Sequence, residues 1–172
     1  MNLAHILEPH DADSIALISR GRETTYGELR SQIDRLRGGL ASVGVTAGDR
    51  VALLCSNSRH FVITYFATVG LGAIAVPLNP FSPAPALEKE IASVGAKVVV
   101  VEKVSAATWS NVDRSLVPTV ETVLSTDGEN APAGAHSIDE LLDADAVDIV
   151  EVGSEVVAVL IFTSGTAGLP RA

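Results

Sequence analysis

The sequence predicts an α/β fold: a parallel-rich sheet flanked by helices. Three observations point there. Short apolar runs of strand length recur at 51–55, 73–76 and 97–101. Segments with helical spacing separate them, and such alternation is the pattern of a parallel sheet with crossover helices. The run Val51-Ala-Leu-Leu-Cys55 is apolar without interruption, as in a strand covered on both faces.

The elements follow in order. Residues 15–19 form a strand and 23–26 return as a second, with Arg20-Gly21-Arg22 as the turn. Thr25 and Glu28 are spaced as a capping box. Behind them Leu29, Ile33, Leu36, Leu40 and Val43 make one apolar stripe, with Arg30, Ser31, Asp34 and Arg37 off it and Gly44 as the stop. A second helix is predicted over 58–71 with Val62, Tyr65, Phe66 and Val69 inward. A third starts at Ser82 as cap with Pro83 at its first position, and ends at Gly95. Its stripe is Leu87, Ile91 and Val94. Residues 106–115 read as a short helix, 120–124 as a strand, 125–135 as a surface loop, 137–142 as a helical turn and 156–162 as a strong final strand. No repeat or linker divides the chain.

Composition narrows the function. The chain has 172 residues, 47% hydrophobic and 19% charged, which excludes intrinsic disorder and allows a sizeable core. Lys and Arg number 12 against 21 Asp and Glu, a formal net charge of −9 that argues against nucleic acid as partner. Cys55 stands alone, so no intrachain disulfide or cysteine-cluster zinc site exists. The amino terminus lacks a basic n-region, no apolar run reaches the ~20 residues of a membrane helix, and a cytoplasmic location is expected. His5, His10, His60 and His136 lack metal-ligand spacing, and the acidic residues from Asp139 to Glu155 read as a solvated face, so neither a catalytic pair nor a metal site is expected.

One segment carries chemistry. The final strand empties into Thr163-Ser164-Gly165-Thr166-Ala167-Gly168-Leu169-Pro170-Arg171. Glycines let successive N–H groups face one anion, hydroxyls add donors, and Arg171 supplies a fixed charge. On chemistry alone this is either a phosphate cradle or a polar turn; it lacks the Gly-Lys-Ser/Thr of the P-loop.

The stretch 160–172 resembles the phosphate-loop signature of the adenylate-forming superfamily, which includes acyl-CoA synthetases, peptide-synthetase adenylation domains and luciferases. Thr25-Tyr26-Gly27-Glu28-Leu29 resembles that family's early Thr-Tyr-x-Glu-Leu, and 69–80, ending Pro77-Leu78-Asn79-Pro80, resembles its Gly-Ala-x-x-x-Pro-x-Asn-Pro segment. Ala167, Arg171 and Ala172 stand where the family usually has Thr, Lys and Gly. The resemblance implies a single incomplete domain over 1–172, the amino-terminal part of the large domain, with the phosphate loop at 163–171. Thr163, Ser164, Gly165, Thr166, Gly168 and Arg171 would bind nucleotide phosphate. It implies a fatty-acid–CoA ligase using ATP, Mg2+ and CoA, and a fragment inactive by itself. An acyl-AMP ligase, a peptide-synthetase adenylation domain, or a non-catalytic α/β interaction module that binds a partner through its exposed sheet edge or apolar face are the competing readings; a homo-oligomer through exposed sheet surface is expected. A flavodoxin-like or dinucleotide-binding domain ranks below these, because Ser56-Asn-Ser-Arg-His60 has no Gly-rich turn.

Overall fold

A computed structural model describes residues 1–129 and 131–163. A 3-10 turn, Leu3–Leu7, leads into β1 (Ile15–Ser19) and β2 (Arg22–Thr25), an antiparallel hairpin. Thr25 then caps α1 (Tyr26–Ser42) through the full capping box: its hydroxyl accepts from the Glu28 amide, and the Glu28 carboxylate accepts from the Thr25 amide. β3 (Arg50–Leu54), α2 (Arg59–Gly70), β4 (Ile74–Pro77), α3 (Ala84–Val94), β5 (Val98–Val101), α4 (Lys103–Trp109), β6 (Thr122–Ser125), β7 (His136–Ser137) and α5 (Ile138–Leu141) follow.

Five strands form one sheet in the order β4-β3-β5-β6-β7, every neighbouring pair parallel. Adjacent side chains of a strand face opposite ways, which explains the unbroken apolar runs. Val51, Leu53, Val98 and Val100 enter one core with Leu29, Ile33, Leu36 and Leu40 of α1, Ile63 of α2 and Leu141 of α5. Ala52, Leu54, Val99 and Val101 enter the other with Leu87 and Ile91 of α3 and Trp109 of α4.

Several expectations change. The segment 156–162 is not a strong strand among the described residues: it meets β4 through a single parallel bridge, Ala75–Val159, with Ala75 N–H donating to Ala158 and Leu160 N–H donating to Ala75, each at 3.0 Å. Val156, Val157 and Ile161 are exposed, because nothing described pairs with their outer edge. Pro83, not Ser82, is the cap residue of α3 and offers no side-chain bond; the prolines at 83 and 85 set the start instead. In α2 the deep positions are Ile63, Ala67 and Val69, while Val62, Tyr65 and Phe66 are half-buried, a rotation of the apolar face by one position. Arg37, off the apolar stripe, is nevertheless 3% exposed. Its guanidinium donates to the Val147 carbonyl at 2.6 Å and to Asp34 at 2.8 Å, so the chain around 147 lies across it.

Two close approaches fix how the later chain lies on α1. A Cβ at Gly39 would run into the carbonyl oxygen of Leu141, and one at Gly38 into that of Asp145. The amino terminus is fastened to the same stretch. The Asn2 side chain, 2% exposed, donates to the carbonyls of Val69 at 2.7 Å and Val150 at 2.9 Å and accepts from the Ala4 amide. The terminal amine donates to Val152 at 3.0 Å.

Candidate functional site

Parallel strands end together, and in such sheets ligands bind beyond the carboxyl ends. Here that edge is built from Cys55-Ser56-Asn57-Ser58 after β3, Leu78-Asn79-Pro80 after β4 and Glu102 after β5. The parallel bridge at Val159 brings the chain to the same edge, where Thr163 is exposed. Of the six predicted phosphate-binding residues, Thr163 is therefore placed. Ser164, Gly165, Thr166, Gly168 and Arg171 lie outside the described residues. Asn79 in the second motif shapes its own loop: its side-chain oxygen accepts from the Phe81 amide at 3.0 Å, and its carbonyl accepts from Ser82. Phe81 projects beyond, 73% exposed.

Strand order reverses at one place. β4 lies on one side of β3 and β5 on the other, so the crevice between the ends of β3 and β5 is the switch point of the sheet. A cavity of about 230 Å³ opens there, lined by Arg20, Arg22, Ser58, Arg59, His60 and Glu102, with Ser19 at its margin. Glu102 is 5% exposed. Its carboxylate accepts from the Ser56 amide at 2.7 Å and from the Ser56 hydroxyl, and stands 3.7 Å from the Arg20 guanidinium. Ser58 caps α2 by accepting from the Phe61 amide. Arg59 donates to Gln32 at 3.0 Å, and burial together with the nearby Arg22 charge lowers its pKa. Burial, then Arg59 and Arg20, hold the His60 imidazole below its ordinary value, so it is neutral at pH 7. In the sequence Arg20-Gly21-Arg22 reads as a turn, which the hairpin bears out, and His60 as a histidine without metal-ligand spacing. Arg20 and Arg22 lie far in sequence from Arg59 and His60 and carry no local signal that they share a cavity; the hairpin and the start of α2 bring them together.

The remaining candidates are structural. Burial, then the Glu102 charge, push the Cys55 thiol far above its usual range, which makes it inert as a nucleophile. His5 bridges Glu8 at 2.8 Å and Glu151 at 2.7 Å, and His10 stacks on Tyr26. The carboxylates from Asp139 to Glu155 are exposed, as a solvated face requires. Trp109, unassigned from sequence, is a core residue of the α3 side with Arg114 over its ring. Among the described residues no three His, Cys, Asp or Glu converge as metal ligands.

Comparison with known proteins agrees with the motifs. Residues 7–172 match the AMP-binding enzyme family. The chain is 30% identical over 165 residues to 4-coumarate--CoA ligase 3 of Arabidopsis thaliana, covering 94% of this chain and 28% of that protein. It is 34% identical over 149 residues to the long-chain-fatty-acid--CoA ligase FadD13 of Mycobacterium tuberculosis, covering 86% of this chain and 28% of that one. Among solved structures it superimposes on an anthranilate CoA ligase in complex with anthranoyl-AMP with a TM-score of 0.91 at 27% identity, covering 99% of this chain and 33% of that chain. The inhibitor-bound amino-terminal domain of FACL13 from Mycobacterium tuberculosis gives 0.85 at 28% identity, covering 99% and 43%. The chain thus spans little more than a quarter of the curated relatives it matches.

Proposed function

The chain belongs to the AMP-binding enzyme family, and from that premise we propose that it is the amino-terminal part of an ATP-dependent acid–CoA ligase acting on a fatty or other apolar carboxylic acid. In the first half-reaction a carboxylate oxygen attacks the α-phosphorus of ATP, a P–O bond forms, and pyrophosphate leaves. In the second, the CoA thiol, losing its proton, attacks the acyl carbonyl and AMP departs. The activation is needed because a carboxylate is a poor acyl donor, whereas AMP leaves readily.

One observation carries this reading: the match to the family, over residues 7–172, runs through the phosphate-loop motif at 160–172. In the reading Thr163, Ser164, Gly165, Thr166 and Gly168 donate to the β- and γ-phosphates and Arg171 supplies the charge. Magnesium would share the charge of the phosphates; among the described residues no three His, Cys, Asp or Glu converge to hold it. The names of the relatives, long-chain-fatty-acid and 4-coumarate CoA ligases, support an apolar acid and CoA as acceptor.

The test is pyrophosphate exchange in the full-length protein. Arg171→Ala should raise the ATP KM about ten- to a hundredfold, the effect of one charge-assisted bond of about 1.5–3 kcal/mol. Arg171→Lys should be milder, since it keeps the charge. An unchanged KM and kcat in Arg171→Ala would remove Arg171 from the phosphate site.

A further inference from the structure

We propose that the crevice between the ends of β3 and β5 is a second anion site, which binds a phosphate group through Arg20, Arg22, Arg59 and the open first turn of α2. It goes beyond the ligase reading, which assigns nucleotide phosphate to the residues at 163–171.

Charge is the first argument. A chain with a net charge of −9 places three guanidinium groups around one cavity against a single buried carboxylate, Glu102. Glu102 already accepts two bonds from Ser56, and only one of its oxygens faces Arg20. Glu28 and Asp139 act on Arg59 from outside the cavity lining. Within the cavity lining three arginines therefore stand against one carboxylate, and Arg22 and Arg59 stand close enough to feel each other.

The backbone is the second argument. Ser19 pairs with Arg22, so Arg20-Gly21 is a two-residue hairpin loop, with φ of +52° and +79°. A turn with two positive φ values is the one Asn-Gly satisfies at low cost. An arginine in this left-handed region is strained, and it is the only non-glycine residue with positive φ among those described. Strain of this kind persists where a side chain is needed. Here it aims a guanidinium at the cavity.

The third is the shape of the acceptor. Ser58 takes up the Phe61 amide, and the preceding amides of α2, Arg59 and His60, lie in the first turn where helical bonding leaves N–H groups open. Phosphate, with several acceptor oxygens, suits a planar guanidinium fork combined with amide donors. Neutral His60 adds a donor without charge.

The probes are inorganic phosphate and adenosine 3′,5′-bisphosphate, titrated calorimetrically into the 172-residue chain at constant ionic strength, with sodium chloride and adenosine as controls. We expect saturable binding of at least one phosphate probe and of neither control. Tighter binding of the bisphosphate identifies a phosphomonoester as the natural group; equal binding identifies free phosphate. Arg20→Asn should fold at least as stably as the parent, because Asn relieves the turn, and should bind about tenfold or more weakly. Arg22→Gln and Arg59→Gln should weaken binding similarly, with circular dichroism confirming the fold. Arg171→Ala should leave it unchanged. Binding no tighter than chloride, binding indifferent to Arg20→Asn and Arg22→Gln, or binding lost in Arg171→Ala would each overturn the proposal. The last outcome would leave the reading of the phosphate loop standing.

Discussion

Asp49 shows how single residues tie this sheet together. Its carboxylate accepts from the amide and hydroxyl of Thr46 and from the Lys97 ammonium at 3.0 Å, linking the entry of β3 to that of β5. Burial raises its pKa, but the Thr46 bonds and Lys97 outweigh burial and hold the carboxyl below its ordinary value. A depressed folded pKa means the stabilising contribution is complete above the unfolded value and disappears as pH falls through the folded one. Stability should therefore decline below about pH 4, and Asp49→Asn should reduce that decline while lowering stability at pH 7. Urea unfolding at stepped pH would show both; a parallel pH profile for the two proteins would contradict this role. Thr25→Ala is a simpler case. It removes the hydroxyl of the capping box and should cost about 1 kcal/mol in the same experiment.

At the scale of elements, α1 and the segment after α5 are joined through glycine. Gly39→Ala should destabilise the chain by about 1–3 kcal/mol, because the added methyl meets a backbone carbonyl that cannot turn aside. Gly153→Ala, with open space around it, should change the midpoint little. Thermal denaturation separates the two, and an equal midpoint for both would mean the 141–145 stretch yields without cost. Elements of this kind were legible to different depths. The stripe from Leu29 to Leu40 and the box at Thr25 are local patterns and gave α1 nearly to the residue. The valines of β5 announced a strand covered on both faces, and it is. β7, two residues long, exists only because β6 offers an edge, and no local pattern encodes that. The segment 156–162 has the composition of a central strand but only one described neighbour, so its backbone pairs once. In the candidate site, the phosphate-loop motif was readable because its residues are contiguous. The basic crevice was not, because Arg20 and Arg59 meet only through the fold.

For the whole molecule, the outer side of the 156–162 segment is the feature with most consequence. Val156, Val157 and Ile161 are 46%, 48% and 62% exposed beside a backbone edge with which none of the described residues pairs. Such edges pair with other chains unless covered. The 172-residue chain should therefore form dimers or larger species as concentration rises. Light scattering would show it, and a clean monomer at high concentration that binds no hydrophobic dye would count against it. The same chain should make no acyl-CoA from ATP, CoA and a panel of fatty acids, since it spans 28% of the ligases it resembles; any detectable thioester would refute this.

The fastening of Asn2 bears on the order of events during synthesis. The Asn2 side chain is held by the carbonyl of Val150, and the Met1 amine by that of Val152, some 150 residues later in the chain. Ribosomes add ~5–20 residues per second, so the amino terminus waits many seconds for its seat to emerge. β3, β4 and β5 need nothing beyond Val101 for their mutual pairing and can assemble meanwhile. The beginning of the chain is thus among the last parts to close, a long-range contact of the kind that slows folding. Extra residues fused ahead of Met1 would have to leave past Val152, so a tag at this end disturbs the closing step before it disturbs the sheet.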